Sequence, residues 1–407
     1  MAHSQTTDVC IVGGGPAGLA AAIAARARGF AVIVVDGSAP PIEKPCGEGM
    51  SPETLAALEE LGVHIGNAGG VPLKGIAFVQ SGARVSADFP QGPGLGLRRT
   101  ALHAQLVARA EECGVEMLWR TPVTSIARDE VHLASGERIR ARWIVGADGP
   151  NSRVRQWLKI PTRSFRRRFA IRRHFQIAPW SSDVDVHWGR FAQAYVTPVS
   201  PTETSVVILA ERREDTEFDR AIMDFPEIAS RIAGARLASR ERGAVTAQHR
   251  LAAVTRGNFA LVGDASGGVD AITGDGIRLA LRHAQAFGDA IAKNDLALYE
   301  RAHRKFAAAP TRAGSTLVLL DRYPRLRERV IIALAANPKL FESFLSAHVG
   351  RGNRRELVAT GAELSWRLLA SYRKGTRTLA VLKKCDSATE RPSPAHLNPA
   401  RPPAREM

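Results

Sequence analysis

The 407-residue sequence has few cysteines and no long apolar run. Its four cysteines, Cys10, Cys46, Cys113 and Cys385, form no C-x-x-C pair, which argues against a metal site or a disulfide framework and fits a reducing compartment. No stretch provides the roughly 20 apolar residues that cross a bilayer, and the first residues lack the basic region and cleavage pattern of a signal peptide. We therefore expect a metal-free, cytoplasmic protein.

Acidic residues are also scarce relative to basic ones. The 40 Asp and Glu residues face 56 Lys and Arg residues, for a formal net charge of +16. Such an excess is typical of proteins that bind nucleic acids or membrane surfaces. Because the arginines are spread along the chain and no aromatic-studded basic motif is present, we expect no nucleic-acid partner. An Arg-rich solvated face is the preferred interpretation, with an anionic substrate or anionic lipid as alternatives.

The residues from 8 to 36 have the pattern of a βαβ unit. Residues 8–12 and 31–35 are short apolar runs typical of buried strands, and residues 17–28 form an Ala-rich helical segment between them. The first turn reads G-x-G-x-x-G, a pattern that lets the backbone approach a pyrophosphate at the helix N-terminus, and an acidic residue closes the second strand, where it can accept from ribose hydroxyls. The predicted dinucleotide contacts are Gly13, Gly15, Pro16, Ala17, Gly18 and Asp36.

Three later segments indicate FAD through a resemblance. The run Gly146-Ala-Asp148-Gly149 resembles the D-G motif of FAD-dependent aromatic hydroxylases (group A flavin monooxygenases), Gly263-Asp264-Ala265 resembles their G-D motif, and residues 273–277 resemble the turn around the flavin. The resemblance covers about residues 8–281. A helix starting near Gly276 would also aim N–H groups at the flavin edge that becomes negative on reduction. The FAD contacts that this resemblance implies are Arg99, Val123, Asp148, Asp264, Gly274, Gly276 and Ile277.

The segment Pro45-Cys46-Gly47-Glu48-Gly49 resembles that of geranylgeranyl-reductase-like flavoproteins. The resemblance implies that Cys46, Gly47 and Gly49 neighbour the FAD and makes Cys46 a catalytic candidate; a small buried thiol is the alternative interpretation. Gly267 stands where many hydroxylases have a His, which also favours the reductase-like branch. Ala271 departs from the Pro that usually precedes the flavin turn.

The predicted substrate-binding sheet contains only part of the substrate motifs of related families. Of the Y-x-W-x-F-P element of prenyl reductases only Tyr195 and Pro198 are present, and these are the predicted substrate contacts. The W-x-W-x-I-P element of flavin halogenases is absent. His174 is a candidate proton carrier because its ordinary pKa suits that task, with a structural role as the alternative. It follows an arginine cluster over residues 163–173 that would bind an anionic substrate or NAD(P)H phosphates, or else form a solvated edge strand.

These observations predict an α/β protein. Its Rossmann-like FAD-binding domain, of the glutathione-reductase-2 type, carries an inserted antiparallel β-sheet substrate domain and a helical C-terminal part. The predicted divisions are FAD-binding residues 1–160 (with substrate-sheet segments at about 70–98), a substrate sheet over 161–245, a second FAD-binding part over 246–298, a helical region over 299–374 and a disordered tail over 375–407.

One dinucleotide fingerprint is present rather than two, so we expect NAD(P)H to act as a transient reductant, with a separate electron donor as the alternative. The first hypothesis is an FAD monooxygenase that uses molecular oxygen on a hydrophobic small molecule, whether aromatic, polyketide or isoprenoid. The alternative is a geranylgeranyl-reductase-type enzyme that reduces C=C bonds of a prenyl substrate. A third hypothesis is a non-catalytic, membrane-associated flavin protein. Basic helices near the C-terminus would pack on the rest of the protein or make a peripheral membrane contact.

Overall fold

The fold was obtained as a computed structural model, which describes residues 4–66, 68–349, 355 and 358–368. The predicted tail over 375–407 and Cys385 lie outside the described residues. The helices are α1 (Pro16–Arg26), α2 (Pro52–Glu60), α3 (Arg99–Glu112), α4 (Arg153–Trp157), α5 (Phe218–Ala221), α6 (Pro226–Ile232), α7 (Gly276–Ala292), α8 (Leu296–Arg322), α9 (Pro324–Ala335) and α10 (Pro338–His348). The strands are β1 (Ser4–Val12), β2 (Val32–Val35), β3 (Gly49–Met50), β4 (Val71–Leu73), β5 (Gly75–Gln80), β6 (Ala83–Asp88), β7 (Gly94–Gly96), β8 (Glu116–Leu118), β9 (Val123–Ala127), β10 (Glu130–Leu133), β11 (Arg138–Gly146), β12 (Thr162–Phe175), β13 (Val184–Trp188), β14 (Ala192–Ser200), β15 (Glu203–Ala210), β16 (Arg242–Leu251), β17 (Thr255–Arg256) and β18 (Phe259–Leu261).

The first sheet contains the predicted βαβ unit. Its strands run in the order β17-β18-β11-β1-β2-β8, with β10 also paired to β11 and β9 to β10, and β1 pairs in parallel with both β2 and β11. All four residues of β2 are buried, as expected for a strand covered on both faces. Helix α1 is built largely of buried alanines, and these small side chains let it pack closely between the sheet and α7. The crossover brings the β1–α1 turn to the carboxyl edge of the sheet, where ligands of such folds bind.

The second sheet has seven strands in the order β16-β12-β15-β14-β13-β5-β6. It is antiparallel, as predicted, except at one pairing: β13 runs parallel to β5. The reason is topological, because the β5–β6 hairpin comes from an earlier part of the chain and joins the sheet at its edge. One face packs on α5 and α6. The other face carries Val186, Trp188, Val207 and Leu209 and packs against Ile272, α8 and α9.

The predicted helical C-terminal region is present and covers the second sheet. Side chains of α9 and α10 such as Val330, Leu334 and Phe341 form one buried cluster with Val85 and Ala87 of β6. Among the described residues, no single helix is long and apolar enough to cross a membrane. Helices α9 and α10 pass the criteria of length and composition only when taken together, and they are bent by 108° at their junction.

Candidate flavin site

The β1–α1 turn has the local geometry that a dinucleotide fingerprint requires. Gly13 has a φ of 118°, and a methyl group added there would lie 2.5 Å from the Ala147 carbonyl oxygen. A methyl group at Gly18 would lie 1.8 Å from the Gly13 carbonyl oxygen, so only glycine allows this packing. At Gly15, by contrast, no atom lies within 4 Å of the added methyl position. The backbone is therefore approachable beside the first turn of α1, where N–H groups attract anions.

Asp36 lies at the end of β2 beside this turn. Its Oδ2 accepts from the Gly14 N–H and its Oδ1 from the Ser38 N–H, both at 2.7 Å. Two backbone N–H groups therefore hold the Asp36 carboxylate next to the glycine turn, which is the position that the sequence predicted.

Trp119 and His103, two aromatic side chains outside the glycine motif, pack against the β1–α1 turn. The Trp119 ring lies so near Gly14 that a methyl group there would meet it at 2.3 Å. His103 Nε2 lies 2.8 Å from the Gly14 carbonyl oxygen, and burial lowers the pKa of this histidine. No local pattern marks Trp119, because it is distant in the chain from the glycines that it covers.

The D-G motif is connected to the G-D motif through one arginine. Asp148 Oδ2 accepts from the Arg153 and Val154 N–H groups, at 2.7 and 3.1 Å, in the first turn of α4, whose N-cap residue is Ser152. Arg155 is buried and donates to the Ala265 carbonyl at 3.0 Å and to the Pro150 carbonyl at 2.7 Å. These bonds bring two segments together that are more than a hundred residues apart in the chain.

Val123 lies beside the same motif. It opens β9, is buried, and its carbonyl accepts from Arg153 at 3.4 Å. A contact between Val123 and FAD stays a prediction.

Asp264 stands in the short helical turn Gly263–Ser266, directly against the fingerprint. A methyl group at Gly263 would meet the Cβ of Ala17 at 2.6 Å, so the two motifs touch. Lys44 Nζ lies 2.9 Å from Asp264 Oδ2. Although burial opposes ionisation, this ammonium lowers the pKa of Asp264 below its ordinary value.

A second turn, residues 270–276, precedes α7. Asp270 caps it by accepting from the Ile272 N–H at 3.1 Å, and Gly274 adopts a left-handed conformation with a φ of 71°. No atom lies within 4 Å of a methyl group added at Gly274 or Gly276. The N-terminal N–H groups of α7, which begins at Gly276 and Ile277, therefore adjoin open space, as the predicted flavin contact requires.

The segment 43–49 carries a buried carboxylate that the sequence did not single out. Glu48 is only 4% exposed, although its φ of 59° is in the left-handed region. Its Oε1 accepts from the Arg99 N–H at 2.9 Å and from Arg172 Nη1 at 3.2 Å, and its Oε2 lies 2.6 Å from His174 Nε2. Burial opposes ionisation, but His174 and Arg172 together hold the pKa of Glu48 below its ordinary value.

Both catalytic candidates contact Glu48, Cys46 at its backbone N–H and His174 at its carboxylate. Cys46 is half-buried, and its Sγ accepts from the Glu48 N–H at 3.5 Å. His174 is buried between Glu48 and Ser239, whose Oγ lies 2.6 Å from its Nδ1. Because both ring nitrogens have protein partners, His174 contacts the Cys46 segment rather than open space.

The two predicted substrate residues do not share a surface. Alternation along β14 places Tyr195 and Pro198 on opposite faces of the sheet. The Tyr195 hydroxyl donates to the Ile272 carbonyl at 3.2 Å, and on the same face Thr197 Oγ1 donates to the Gly47 carbonyl at 2.7 Å. Tyr195 therefore borders the flavin side of the sheet, whereas Pro198 packs near Gly96 of β7.

The residues around these turns fit an FAD molecule. Open backbone at Gly15, Gly47 and Gly276 outlines a path from the N-terminus of α1 to that of α7. Among the described residues, Arg99 Nε and Asp148 Oδ1 are buried atoms without a hydrogen-bond partner. A ligand that carries phosphate and hydroxyl groups would satisfy both. Two helix N-termini, one carboxylate after β2 and approachable glycines together define a nucleotide-binding flavoprotein fold joined to a substrate sheet.

The sequence matches the family model described as FAD binding domain over residues 6–304. The chain belongs to this family, and it is an FAD-dependent oxidoreductase. A menaquinone reductase of Mycobacterium tuberculosis is 26% identical over 364 residues, which cover 80% of this chain and 86% of that protein. A digeranylgeranylglycerophospholipid reductase of Methanococcoides burtonii is 25% identical over 71% of this chain and 76% of its own length. A rifampicin monooxygenase of Rhodococcus hoagii is 30% identical, but over 37% of this chain and 33% of its own length.

Solved structures show the same fold. A flavin-dependent brominase superimposes with a TM-score of 0.74 and 19% identity, covering 91% of this chain and all of the other. A variant of 2-methyl-3-hydroxypyridine-5-carboxylic acid oxygenase superimposes with a TM-score of 0.65 and 22% identity, covering 82% of this chain and 94% of the other. At these identities the likeness concerns the fold and not the reaction.

Proposed function

We propose that this protein is a reductase that transfers a hydride and a proton to a C=C bond of an isoprenoid lipid, with NAD(P)H as the source of electrons. The observation that carries the proposal is the extent of the similarity. Reductases of a prenylated quinone and of a prenylated glycerophospholipid align over 80% and 71% of the chain, and so include the substrate sheet. The rifampicin monooxygenase aligns over 37%.

The face of the substrate sheet that borders the 270–276 turn supports a hydrophobic substrate. It carries Val186, Trp188, Val207 and Leu209, and the helices α8 and α9 cover it with further apolar side chains. Because these side chains are already buried against the helices, a long hydrocarbon substrate would bind at the edge of this cluster, where Tyr195 borders the 270–276 turn. It would gain about 25 cal/mol for each Å² of apolar surface that it buries at that edge.

In this proposal the first turn of α1 with Gly13, Gly15 and Gly18 would bind the pyrophosphate, Asp36 would bind the ribose, and Asp264 with Arg99 would border the ribityl chain. When bound, FAD would supply two-electron redox chemistry. Residues Cys46, Gly47 and Gly49 would line one side of the ring, and the N-terminus of α7 would stabilise the negative charge that develops there. Tyr195 would border the substrate.

A second candidate is the NAD(P)H-dependent monooxygenase. The rifampicin monooxygenase match favours it, since that protein is 30% identical over 37% of this chain. This reaction needs molecular oxygen as a substrate, whereas reduction of a C=C bond does not.

Product analysis separates the two candidates. The purified, FAD-loaded protein would be incubated with NADPH or NADH and a panel of polyprenyl quinones, polyprenyl glycerolipids and aromatic compounds, with and without oxygen. We expect a polyprenyl product that has gained two hydrogens, in equal yield under both conditions. A product that has gained one oxygen atom, formed only in air, would establish the monooxygenase instead.

A lipid substrate has to be reached, and the outer surface of α8 and α9 is suited to a peripheral membrane contact. Leu319, Tyr323 and Ile332 are 47%, 49% and 54% exposed there. Arg322 and Arg325, both exposed, lie among them. Basic residues beside exposed apolar ones match an anionic bilayer surface, at about 1 kcal/mol for each basic side chain close to it.

We predict that the protein co-sediments with phosphatidylglycerol vesicles at low salt and is released at high salt, because an interaction with surface charges is screened. The double variant Arg322→Gln/Arg325→Gln should reduce the bound fraction at least fivefold. Arg212→Gln/Arg213→Gln is the matched control, since it removes the same charge from an exposed segment elsewhere. Equal binding of both variants would exclude this surface as the contact.

A further inference from the structure

One face of strand β12 contacts both segments that flank the proposed flavin position. Side chains alternate along a strand, so Arg168, Arg172 and His174 point to the same side. All three are buried. Arg168 reaches the 270–276 turn, while Arg172 and His174 reach the segment 43–49. The neighbouring Arg173 points the other way and pairs with Asp219 and Glu241.

The contact with the 270–276 turn is made by a buried ion pair. Arg168 Nε lies 2.6 Å from Asp270 Oδ1, and its Nη1 lies 2.9 Å from Asp321 Oδ2 on α8. Asp270 is also the residue that caps the turn. The same sheet makes a second contact with the turn, because the Tyr195 hydroxyl donates a hydrogen bond to the Ile272 carbonyl.

Arg172 and His174 of β12 make the contacts with the segment 43–49. Arg172 pairs with Glu43 and Glu48 and also donates to the Lys44 carbonyl at 3.4 Å. His174 holds the second carboxylate oxygen of Glu48. The left-handed backbone of Glu48 is costly for a residue with a side chain, and it persists only where the surroundings fix it.

Charged groups in these positions are a poor way to stabilise a fold. Buried ion pairs lose hydration, and replacing them by packed apolar residues is often neutral or stabilising. What such pairs add is a defined geometry, because a carboxylate with several directed partners has a single position. Here that position is set for the two segments between which the flavin ring would lie.

We infer that Arg168, Arg172 and His174 form a clamp that fixes both flavin-flanking segments to the substrate sheet, with Glu48 as its central positioning residue. The clamp rests on the proposed flavin site. It links substrate binding to the flavin, because any movement of β12 is passed to both segments at once. None of the four side chains needs to touch the cofactor for this role.

The test compares FAD binding with folding. Glu48→Gln and Arg172→Gln would be made singly and together, with Arg173→Gln as the control on the opposite face of the strand. FAD affinity would be followed by quenching of flavin fluorescence, ring geometry by visible circular dichroism of the bound flavin, and folding by the thermal midpoint of the apoprotein. Each single variant should raise the Kd for FAD about tenfold and change the flavin dichroism, while Arg173→Gln changes neither.

The double variant keeps the test decisive if a single variant folds poorly. Removing both partners leaves neither charge of the Arg172–Glu48 pair unpaired, and Glu43 keeps its ion pair with Arg242, so the thermal midpoint should recover. The clamp predicts that the Kd and the dichroism do not recover. Full recovery of all three would show that the pair serves folding alone and would overturn the inference. A wild-type protein that takes up no FAD would instead refute the proposed flavin site.

Discussion

At the scale of single residues, the glycines of the fingerprint turn serve two different purposes. A methyl group at Gly18 would collide with backbone, whereas one at Gly15 would meet no atom within 4 Å. Gly15 also has a φ of −74°, which any residue adopts. The fold therefore requires glycine at position 18, whereas at position 15 the proposed pyrophosphate contact would require it.

This difference predicts two separable phenotypes. Gly18→Ala should lower the free energy of unfolding by about 1–3 kcal/mol through overpacking against Gly13. Gly15→Ala should leave the stability of the apoprotein unchanged and raise the Kd for FAD at least tenfold, which corresponds to about 1.4 kcal/mol. Chemical denaturation of the apoproteins and FAD titration measure the two effects. Normal FAD affinity in Gly15→Ala would contradict the placement of the pyrophosphate.

At the scale of elements, helices α7 and α8 enclose two histidines that the flavin chemistry does not use. The rings of His283 and His303 are stacked with centroids 4.1 Å apart. His303 Nε2 lies 2.9 Å from Ser266 Oγ, in the turn that carries Asp264. Burial lowers the pKa of His303 to about 4, with Arg304 adding to the effect, and burial lowers the pKa of His283 as well.

These two histidines make the fold sensitive to acid. Between pH 6.5 and about 4 the unfolded chain binds protons at these positions and the folded protein does not, so stability falls as the pH falls. The slope is at most about 1.4 kcal/mol per pH unit for each histidine. His283→Phe, which keeps an aromatic ring without a titrating group, should give a shallower decline of the thermal midpoint between pH 7 and 5 than the wild type shows. His64→Gln, at an exposed position, is the control; equal slopes for wild type and His283→Phe would contradict this account.

Also at the scale of elements, the strands, turns and helices that could be predicted are those that depend on residues adjacent in the chain. The strand–turn–helix around Gly13, the strand that ends at Asp36 and the helix that begins at Gly276 follow from local patterns of apolar residues and glycines, and the structure has them. The resemblance of the D-G and G-D segments then correctly assigned the family.

The sequence could not predict which distant side chains pair. Lys44 meets Asp264, Arg168 meets Asp270 and His174 meets Glu48 across 220, 102 and 126 residues of chain. No local pattern marks these partners, because their proximity arises only when the two sheets assemble. The parallel pairing of β5 with β13 was missed for the same reason.

At the scale of the whole molecule, the two sheets have different features. The first sheet carries the glycine turn at its carboxyl edge, where we propose that the cofactor binds, and the second sheet has an apolar face that α8 and α9 cover. Much of the positive charge on the substrate sheet is used internally, since Arg168, Arg172 and Arg173 each pair with two carboxylates. This use of arginine favours the interpretation of a structured protein surface over that of a nucleic-acid partner.

In the proposed reaction the reduced protein passes its electrons to a C=C bond and does not need oxygen. The most direct measurement is anaerobic: the FAD-loaded protein is photoreduced, a polyprenyl lipid is added, and the visible absorption of the flavin is followed. We predict that the oxidised spectrum returns as the substrate gains two hydrogens, in a one-to-one ratio with flavin. The contrary result is a flavin that stays reduced with every polyprenyl lipid and is reoxidised only when air is admitted together with a substrate that becomes oxygenated. That result would contradict reduction of a C=C bond as the reaction.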